Sequence, residues 1–315
     1  MAVFDINGDV ISSTSSVSGI VSVKDYGAKG DGETNDSSAI QSALDALKNT
    51  GGIIVFPIGT YILYSSVAFY SNQFLLFENG ATLKAGNGTI TNLLISSCLL
   101  GTTGYDGVHD SVIYGATFDG GAQETNITLA GIVHSKNVIF ERCTFKNAYG
   151  AWHNLEINSS YNCKVINCDF EGSRKNSSNA CLIQVDSIDS AATWPWEDNR
   201  GSIDNTISKY TEILGSVFHD DTISPAIGNH SSTNIQYLKI HDCVFTGLTT
   251  ERAAVAFQSG KYVDIYDNTF VGCTTICSDT SGSNWTCHDN RIDGATSIGG
   301  FAAKYNNIVD GTLSS

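Results

Sequence analysis

One pattern of apolar and small residues recurs along most of the chain and constrains its fold more than any other feature. It is visible in SVIYGATFDG, NVIFERCTFKN, NCKVINCDFEG and five later segments, each with an apolar marker residue near its end. The markers are Phe118, Phe145, Phe170, Phe218, Phe245, Phe270, Ile292 and Ile308. Successive markers are 27, 25, 48, 27, 25, 22 and 16 residues apart, so a unit of 22 to 27 residues explains most of the spacing.

Two further positions keep their character from unit to unit. Five residues before the marker stand Ile113, Phe140, Val165, Ile213, Ile240, Ile265, Cys287 and Ala303. Two residues before it stand Ala116, Cys143, Cys168, Ser216, Cys243, Asn268, Asn290 and Asn306. The odd step between these columns predicts a bend between two short strands, because side chains alternate along a single strand. Strands and turns at this period, without a helix, are typical of a parallel β-helix in which each repeat forms one coil.

The cysteines follow the same repeat. Cys143, Cys168 and Cys243 share the small-residue column, which the pattern places against the core. The chain has nine cysteines, without paired CxxC sets and without regular zinc-site spacing. We therefore predict buried free thiols, and we assign no metal site and no cofactor.

A helix is predicted at the amino-terminal end of the coils. Residues 36–49 place Ile40, Ala43, Leu44 and Leu47 on one helical face. Asn35 or Asp36 is suited to cap its first turn, and two glycines at 51–52 are suited to end it. Such a helix can cover the open first coil and protect its unpaired strand edges.

The opening of this region resembles a known family. VKDYGAKGDGETNDSSAIQSALDAL and GGIIVFPIGTYIL, within residues 23–63, are similar to the start of pectate-lyase-superfamily β-helices. That superfamily includes polygalacturonase-like hydrolases and the tailspikes or appendages of bacteriophages. The resemblance spans roughly residues 21–310 and implies an all-β, right-handed parallel β-helix with an N-terminal capping α-helix. It also implies a homotrimer that binds or degrades a surface polysaccharide, located on a virion tail or elsewhere outside the cell.

Domain boundaries and partners follow from composition. We interpret residues 1–20 as a Ser-rich lead-in and residues 21–315 as a single β-helix domain with an insertion at about 187–209. No apolar run reaches the roughly 18 residues of a spanning helix, and the first residues lack the basic and apolar regions of a Sec signal peptide. A net charge of −15 disfavours nucleic acid and anionic membranes as partners, so a polysaccharide suits the chain better.

Polar residues gather on one predicted sheet face. The strands GIVHS, NLEIN, LIQVD, AIGNH and VAFQS alternate, so that Leu155 and Ile157 face the core and Glu156 faces out. One outward column holds Glu156, Gln184, Gly228 and Ala256. The adjacent column holds His134, Asn158, Asp186, His230 and Gln258. A slip of one residue would reverse every one of these directions.

This face predicts a catalytic site. Glycosidic hydrolysis needs two carboxyl groups, and Glu156 and Asp186 would lie on adjacent coils roughly 8 Å apart, nearer the inverting than the retaining separation. His230 would tune a carboxyl group or bind substrate, and His134, Asn158, Gln184 and Gln258 would bind substrate. Solvated surface is the plain alternative for these residues. A lyase, a glycan-binding receptor without catalysis and a teichoic-acid phosphodiesterase remain open as other functions.

Further candidates lie in the insertion and in a turn. The spacing of 48 residues between Phe170 and Phe218 locates the insertion, where Trp194 and Trp196 would contact sugar rings or a neighbouring subunit. The runner-up catalytic carboxylates are Glu197, Asp198, Asp220 and Asp221; the last two would equally hold a cation or cap a turn. His219–Asp221 and Gly228–His230 are similar to two polygalacturonase motifs, but the NTD and RIK motifs are missing, so that catalytic set is not assigned.

Overall fold

Successive coils of the chain build three sheets, which have 8, 11 and 12 strands in the part of the chain that the structure describes. The structure is a computed structural model that describes residues 2–4, 10–13, 19–86, 90–150, 152–174, 180–188, 201–221, 224–230, 235–249, 253–279, 283–295, 297–299, 303–310 and 312–314. Within these residues the strands of the three sheets pair in parallel, except for the last pair. A separate antiparallel pair, β1 (Ala2–Phe4) and β2 (Val10–Ser13), precedes the coils. The predicted parallel β-helix is confirmed.

The strands are numbered in chain order. Sheet A contains β7 (Val67–Phe69), β10 (Asn92–Ser96), β13 (Thr128–Val133), β16 (Leu155–Asn158), β19 (Ile183–Asp186), β22 (Ile227–Gly228), β25 (Val255–Phe257) and β28 (Cys277–Asp279). Sheet B contains β3 (Ile20–Ser22), β5 (Gly52–Phe56), β8 (Gln73–Phe77), β11 (His109–Tyr114), β14 (Lys136–Glu141), β17 (Lys164–Ile166), β20 (Glu212–Leu214), β23 (Ile235–His241), β26 (Gly260–Tyr266), β29 (Thr286–His288) and β31 (Ala303–Tyr305). Sheet C contains β4 (Asp31–Asn35), β6 (Thr60–Leu63), β9 (Thr82–Ala85), β12 (Thr117–Asp119), β15 (Thr144–Lys146), β18 (Asp169–Glu171), β21 (Val217–His219), β24 (Val244–Thr246), β27 (Thr269–Val271), β30 (Arg291–Asp293), β32 (Asn307–Val309) and β33 (Thr312–Ser314).

A left-handed residue makes the bend between sheets B and C. In successive coils this residue is Gly115, Arg142, Asn167, Gly215, Asp242, Asp267, Asp289 and Asn306, with φ between 53° and 76°. The residue after it is small and buried, as at Cys143, Ser216 and Asn268. One left-handed residue turns the chain sharply, which explains the odd step between the two inward columns of the repeat.

The marker column forms the centre of the core. The rings of Phe118, Phe145, Phe170, Phe218, Phe245 and Phe270 stack with centroids 4.6–5.0 Å apart. All six side chains are fully buried. Strand pairing puts each ring directly over the next, as the repeat predicts.

The last coil departs from the predicted alignment by one residue. Val309, and not Ile308, pairs with the marker Ile292, and Ile308 is 45% exposed. Accordingly Asn307, and not Asn306, enters the buried column, where its side chain accepts a hydrogen bond from Asn290. The left-handed turn falls on the first of two consecutive asparagines, which the sequence pattern did not distinguish.

The predicted helix covers the first coils. The α-helix α1 (Ser37–Ala46) packs against β7 and against the short 3-10 helix η1 (Val23–Tyr26), and it buries Ile40, Ala43 and Leu44. Asp36 is its N-cap residue, but the Asp36 carboxylate accepts hydrogen bonds from the backbone of Lys29 and Gly30. The helix ends before the two glycines expected to stop it. No helix in the described part of the chain is long and apolar enough to cross a membrane.

All nine cysteines are buried free thiols. Cys143 and Cys168 contact each other across adjacent coils, where the backbone N–H of Cys143 donates to the Cys168 sulfur at 3.4 Å. Burial raises the pKa of Cys163 and of Cys243 to about 12, so both thiols remain protonated at neutral pH. These cysteines therefore act as small apolar residues in the core.

Removing one ring from the phenylalanine column should weaken the whole core. We expect Phe245→Ala to lower the free energy of unfolding by about 3–5 kcal/mol, because a cavity forms between two stacked neighbours. Val244→Ala, on the same strand but 37% exposed, should cost about 1 kcal/mol or less. Urea unfolding of both variants measures the difference, and equal losses would contradict this description of the core.

Candidate functional site

The register of sheet A brings the predicted polar residues together. Glu156 pairs with Gln184, and Asn158 pairs with Asp186, on the adjacent strands β16 and β19. Gln184 in turn pairs with Gly228 on β22. The core-facing partners of these residues, Leu155, Ile157, Ile183 and Val185, lie in the main hydrophobic core. Glu156 and Asp186 therefore project from the opposite face of the sheet, on neighbouring coils and two residues apart along the strand.

His134 lies one position away from its predicted column. Val133, and not His134, pairs with Asn158, so His134 is aligned with Ser159. Both His134 and Ser159 are left-handed, with φ of 49° and 46°, and mark the point where the chain turns away from sheet A. The His134 ring contacts two carbonyl oxygens, those of Gly104 at 2.7 Å and Ser202 at 2.9 Å. His134 thus joins two covering segments and is not in contact with the carboxylates.

The outer face of sheet A is buried here, although the sequence pattern placed it outside. Glu156 is 2% exposed, and Asp186, Asn158 and His134 are fully buried. Two segments, residues 98–107 and 201–208, lie along this side. They are joined by hydrogen bonds from the Tyr105 hydroxyl to the Ile207 carbonyl and from the Gly104 N–H to Asp204. The second segment also contacts the end of β19, because the Ser208 hydroxyl donates to the main-chain carbonyl of Asp186 at 2.6 Å.

Glu156 is a carboxyl group that favours its protonated form. Burial raises its pKa to about 8, and the negative charge of Asp186 acts in the same direction. Hydrogen bonds from the Thr128 hydroxyl at 3.0 Å and the Asn158 amide at 3.2 Å offset only part of this effect. At neutral pH Glu156 therefore holds a proton that it can donate.

Asp186 is as deeply buried as Glu156, but its carboxylate is surrounded by N–H donors. Its Oδ2 atom accepts hydrogen bonds from the backbone N–H of His230 and from the Gln184 amide, both at 2.8 Å. Its Oδ1 atom accepts a third, from the backbone N–H of Ser187 at 2.9 Å. Three N–H donors stabilise the ionised carboxylate. Burial and the negative charge of Asp186 both raise the pKa of Glu156, so Glu156 is the member of the pair that holds a proton at neutral pH.

His153 lies beside Glu156 and His230 and forms a polar cluster with them and Asp186, although the sequence pattern did not single it out. Its Nε2 atom lies 3.9 Å from Glu156 Oε1, and its ring centroid lies 5.3 Å from that of His230. Burial lowers the pKa of His153 to about 3, so the ring is neutral and supplies no positive charge to ionise Glu156. His153 precedes β16, where strand alternation does not yet apply; its position three residues before Glu156 was the available signal. His230 is partly exposed, and the cluster meets the surface there.

The remaining sequence candidates lie apart from the carboxylate pair or outside the described residues. Gln258 is exposed, and its N–H donates to Asn229. Asp220 contacts His219 at the surface, whereas Asp221 is buried and accepts a hydrogen bond from the backbone of Ser224 within a turn. The predicted substrate-binding and runner-up residues of the insertion are not among the described residues: Trp194, Trp196, Glu197 and Asp198.

The raised pKa of Glu156 predicts a particular pH dependence of stability. The ordinary pKa is 4.5 and the folded value is about 8, so the contribution of Glu156 is fully present below pH 4.5 and is lost as the pH rises through 8. Glu156→Gln removes the titratable carboxyl group and keeps a side chain of the same shape. We expect its unfolding free energy to fall less between these pH values than that of the wild type, by on the order of a few kcal/mol.

Urea unfolding at a series of pH values measures this difference. Glu33→Gln, at an exposed position in β4, is the matched control and should follow the wild-type curve. The same slope for Glu156→Gln and for the wild type would contradict the assignment of a buried, protonated Glu156.

Comparisons with known proteins agree with the coil architecture. A family model described as rhamnogalacturonase A/epimerase, pectate lyase-like, matches residues 20–104. Plasmin and fibronectin-binding protein A of Streptococcus pneumoniae (strain ATCC BAA-255 / R6) is 28% identical over 260 residues, which cover 70% of this chain. The chain spans only 36% of the length of that curated relative.

Solved structures extend the likeness over almost the whole chain. The surface adhesin PfbA of Streptococcus pneumoniae matches with a TM-score of 0.75 and 23% identity, over 92% of this chain and 78% of that one. A hyperthermoactive exopolygalacturonase from Thermotoga maritima matches with a TM-score of 0.62 and 12% identity, over 93% and 79%. Together with the parallel sheets, these findings show that the protein folds as a right-handed parallel β-helix, whose amino-terminal part matches a pectate lyase-like family model.

Proposed function

We propose that this protein binds an extended polysaccharide and hydrolyses its glycosidic bonds, with Glu156 as the general acid and Asp186 as the general base. One observation carries the proposal: two buried carboxyl groups project from the same face of sheet A on adjacent coils, and they differ in their hydrogen-bond donors. Burial and the charge of Asp186 raise the pKa of Glu156 to about 8, whereas Asp186 accepts three N–H hydrogen bonds that favour its ionised form. Such a pair supplies a proton donor and a proton acceptor at the same pH.

The roles follow from these protonation states. Glu156 would protonate the glycosidic oxygen of the leaving sugar, and Asp186 would take a proton from the water that attacks the anomeric carbon. The strand register separates the two residues by one coil and two positions, which corresponds to roughly 8 Å, a separation typical of inverting enzymes. Substrate would approach from the side of His230, the partly exposed member of the cluster.

The relatives support a polysaccharide as the ligand. The matched family model carries the name of a rhamnogalacturonase and epimerase, and one structural relative is an exopolygalacturonase. The charge of −15 also suits a ligand other than nucleic acid. We further propose an extracellular location, because the relatives from Streptococcus pneumoniae include a surface adhesin. A homotrimer and a place on a phage tail stay predictions from the sequence resemblance.

A second function, glycan binding without cleavage, is favoured by a specific observation. Glu156 and Asp186 are almost completely covered, and their hydrogen bonds are satisfied within the protein. A buried polar network of this kind can also serve only to fix the packing of the covering segments. The similarity to an adhesin points in the same direction. Lyase and phosphodiester chemistry remain alternatives on the same scaffold.

Product analysis separates these functions. The protein is incubated with a panel of acidic and neutral polysaccharides, beginning with polygalacturonate and its methyl ester. New reducing ends without unsaturated sugars indicate hydrolysis, both products indicate a lyase, and binding without product indicates a receptor. We expect Glu156→Gln and Asp186→Asn each to reduce hydrolysis by about 10²-fold or more, because each removes one proton-transfer group.

Asp242→Asn is the matched control, since Asp242 is an exposed carboxylate on a left-handed turn that asparagine also tolerates. It should retain full activity. Full hydrolysis by either Glu156→Gln or Asp186→Asn would overturn the catalytic assignment, provided that both variants unfold cooperatively.

A further inference from the structure

Three tyrosines form an exposed row along sheet B, away from the carboxylate pair. Tyr210, Tyr237 and Tyr262 belong to successive coils, and their rings stack with centroids 4.6 and 4.8 Å apart and planes within 5° of parallel. They are 43%, 38% and 46% exposed. Tyr161 extends this tyrosine row edge-on at one end. The row therefore offers a line of ring edges and phenol hydroxyls that runs across the coils.

The backbone of the tyrosine row is unusual for its residue type. All three residues are left-handed, with φ of 56°, 57° and 58°. The same position in the other coils holds short polar residues with the same conformation: Asp110, Asn137, Asn162 and Asn284. Asparagine and aspartate tolerate this conformation well, whereas a bulky aromatic residue is strained there. Backbone stability thus favours asparagine at these three positions, and retained strain at an exposed place points to a function.

A groove of about 520 Å³ lies beside the tyrosine row. Its other wall is a column of charged residues on the paired strands β17, β20, β23 and β26: Lys164, Glu212, Lys239 and Asp264. Lys164 and Glu212 neutralise each other at 2.7 Å, and Asp264 contacts His288 at 3.1 Å. Lys239 is exposed and has no ion-pair partner among the residues that the structure describes. One unpaired cation therefore faces the groove in a strongly acidic protein.

We propose that this groove is a second glycan-binding site, which holds a uronic-acid-containing chain along the coil axis with a sugar carboxylate at Lys239. The tyrosine hydroxyls and ring edges contact successive sugars, because tyrosine combines an apolar body with a polar tip. The extent of the row over three coils suits an extended chain better than a single small molecule. The choice of a glycan rests on the proposed function, whereas the groove itself is independent of Glu156 and Asp186.

The test uses the asparagines of the neighbouring coils as a template. The triple variant Tyr210→Asn, Tyr237→Asn, Tyr262→Asn is compared with the wild type for binding of oligogalacturonate by calorimetry and for urea unfolding. We expect at least tenfold weaker binding and an unfolding midpoint that is unchanged or higher, since asparagine relieves the left-handed strain. A lower midpoint with unchanged affinity would overturn the proposal and assign the row a structural role.

A second variant keeps the test valid if the triple variant does not fold. Lys239→Gln should weaken oligogalacturonate binding at least tenfold but leave binding of its methyl ester unchanged. Equal effects on the two ligands, or no binding of oligogalacturonate by the wild type, would overturn the site. All measurements are repeated with Glu156→Gln: binding at the groove should persist there, so a failure of the catalytic proposal and a failure of this site give different results.

Discussion

The stacking of like residues on adjacent coils is the constraint on which the rest of the structure depends. From Gly115 onward, a single left-handed residue between sheets B and C turns the chain in each coil and sends the next, small residue into the core. The following strand then places its apolar marker over the marker of the coil below. Because this geometry repeats, the register is set once and transmitted along sheets A, B and C. Side chains on the outer faces become columns whose members are neighbours in space.

Sheet A shows what such a column can do chemically. A glutamate and an aspartate that are 30 residues apart in sequence meet on adjacent rungs, where burial and the charge of the aspartate raise the pKa of the glutamate. Glu156, whose pKa is raised by burial, lies among the polar side chains of Thr128, Asn158 and His153. The protonation state of Glu156 therefore depends on the neighbouring residues that bury it and on the charge of Asp186. The almost complete burial of both carboxyl groups also fits a protein that binds a glycan without cleaving it, because a buried polar network can serve only to fix packing.

Much of this could be predicted from the sequence, because apolar periodicity determines register. The pairing of Glu156 with Gln184 and of Asn158 with Asp186 agrees with the predicted columns. The exceptions lie just outside strands, where side chains no longer alternate. His134 follows the end of β13, and His153 precedes the start of β16. The burial of the carboxylates was not predictable, because strand alternation places a residue on the outer face and does not show what lies over that face. The tyrosine row had a signal, eight residues before three of the markers, where other repeats carry asparagine or aspartate.

The proposed chemistry depends most directly on the protonation state of one carboxyl group, that of Glu156. Carbon-detected NMR of protein with labelled glutamate side chains follows each carboxyl carbon through a pH titration, and the signal missing from Glu156→Gln identifies Glu156. If Glu156 is the general acid, we expect this carbon to titrate near pH 8, far above the ordinary glutamate pKa of 4.5. A midpoint at or below the ordinary value would show an ionised Glu156 at neutral pH and would contradict its role as the acid.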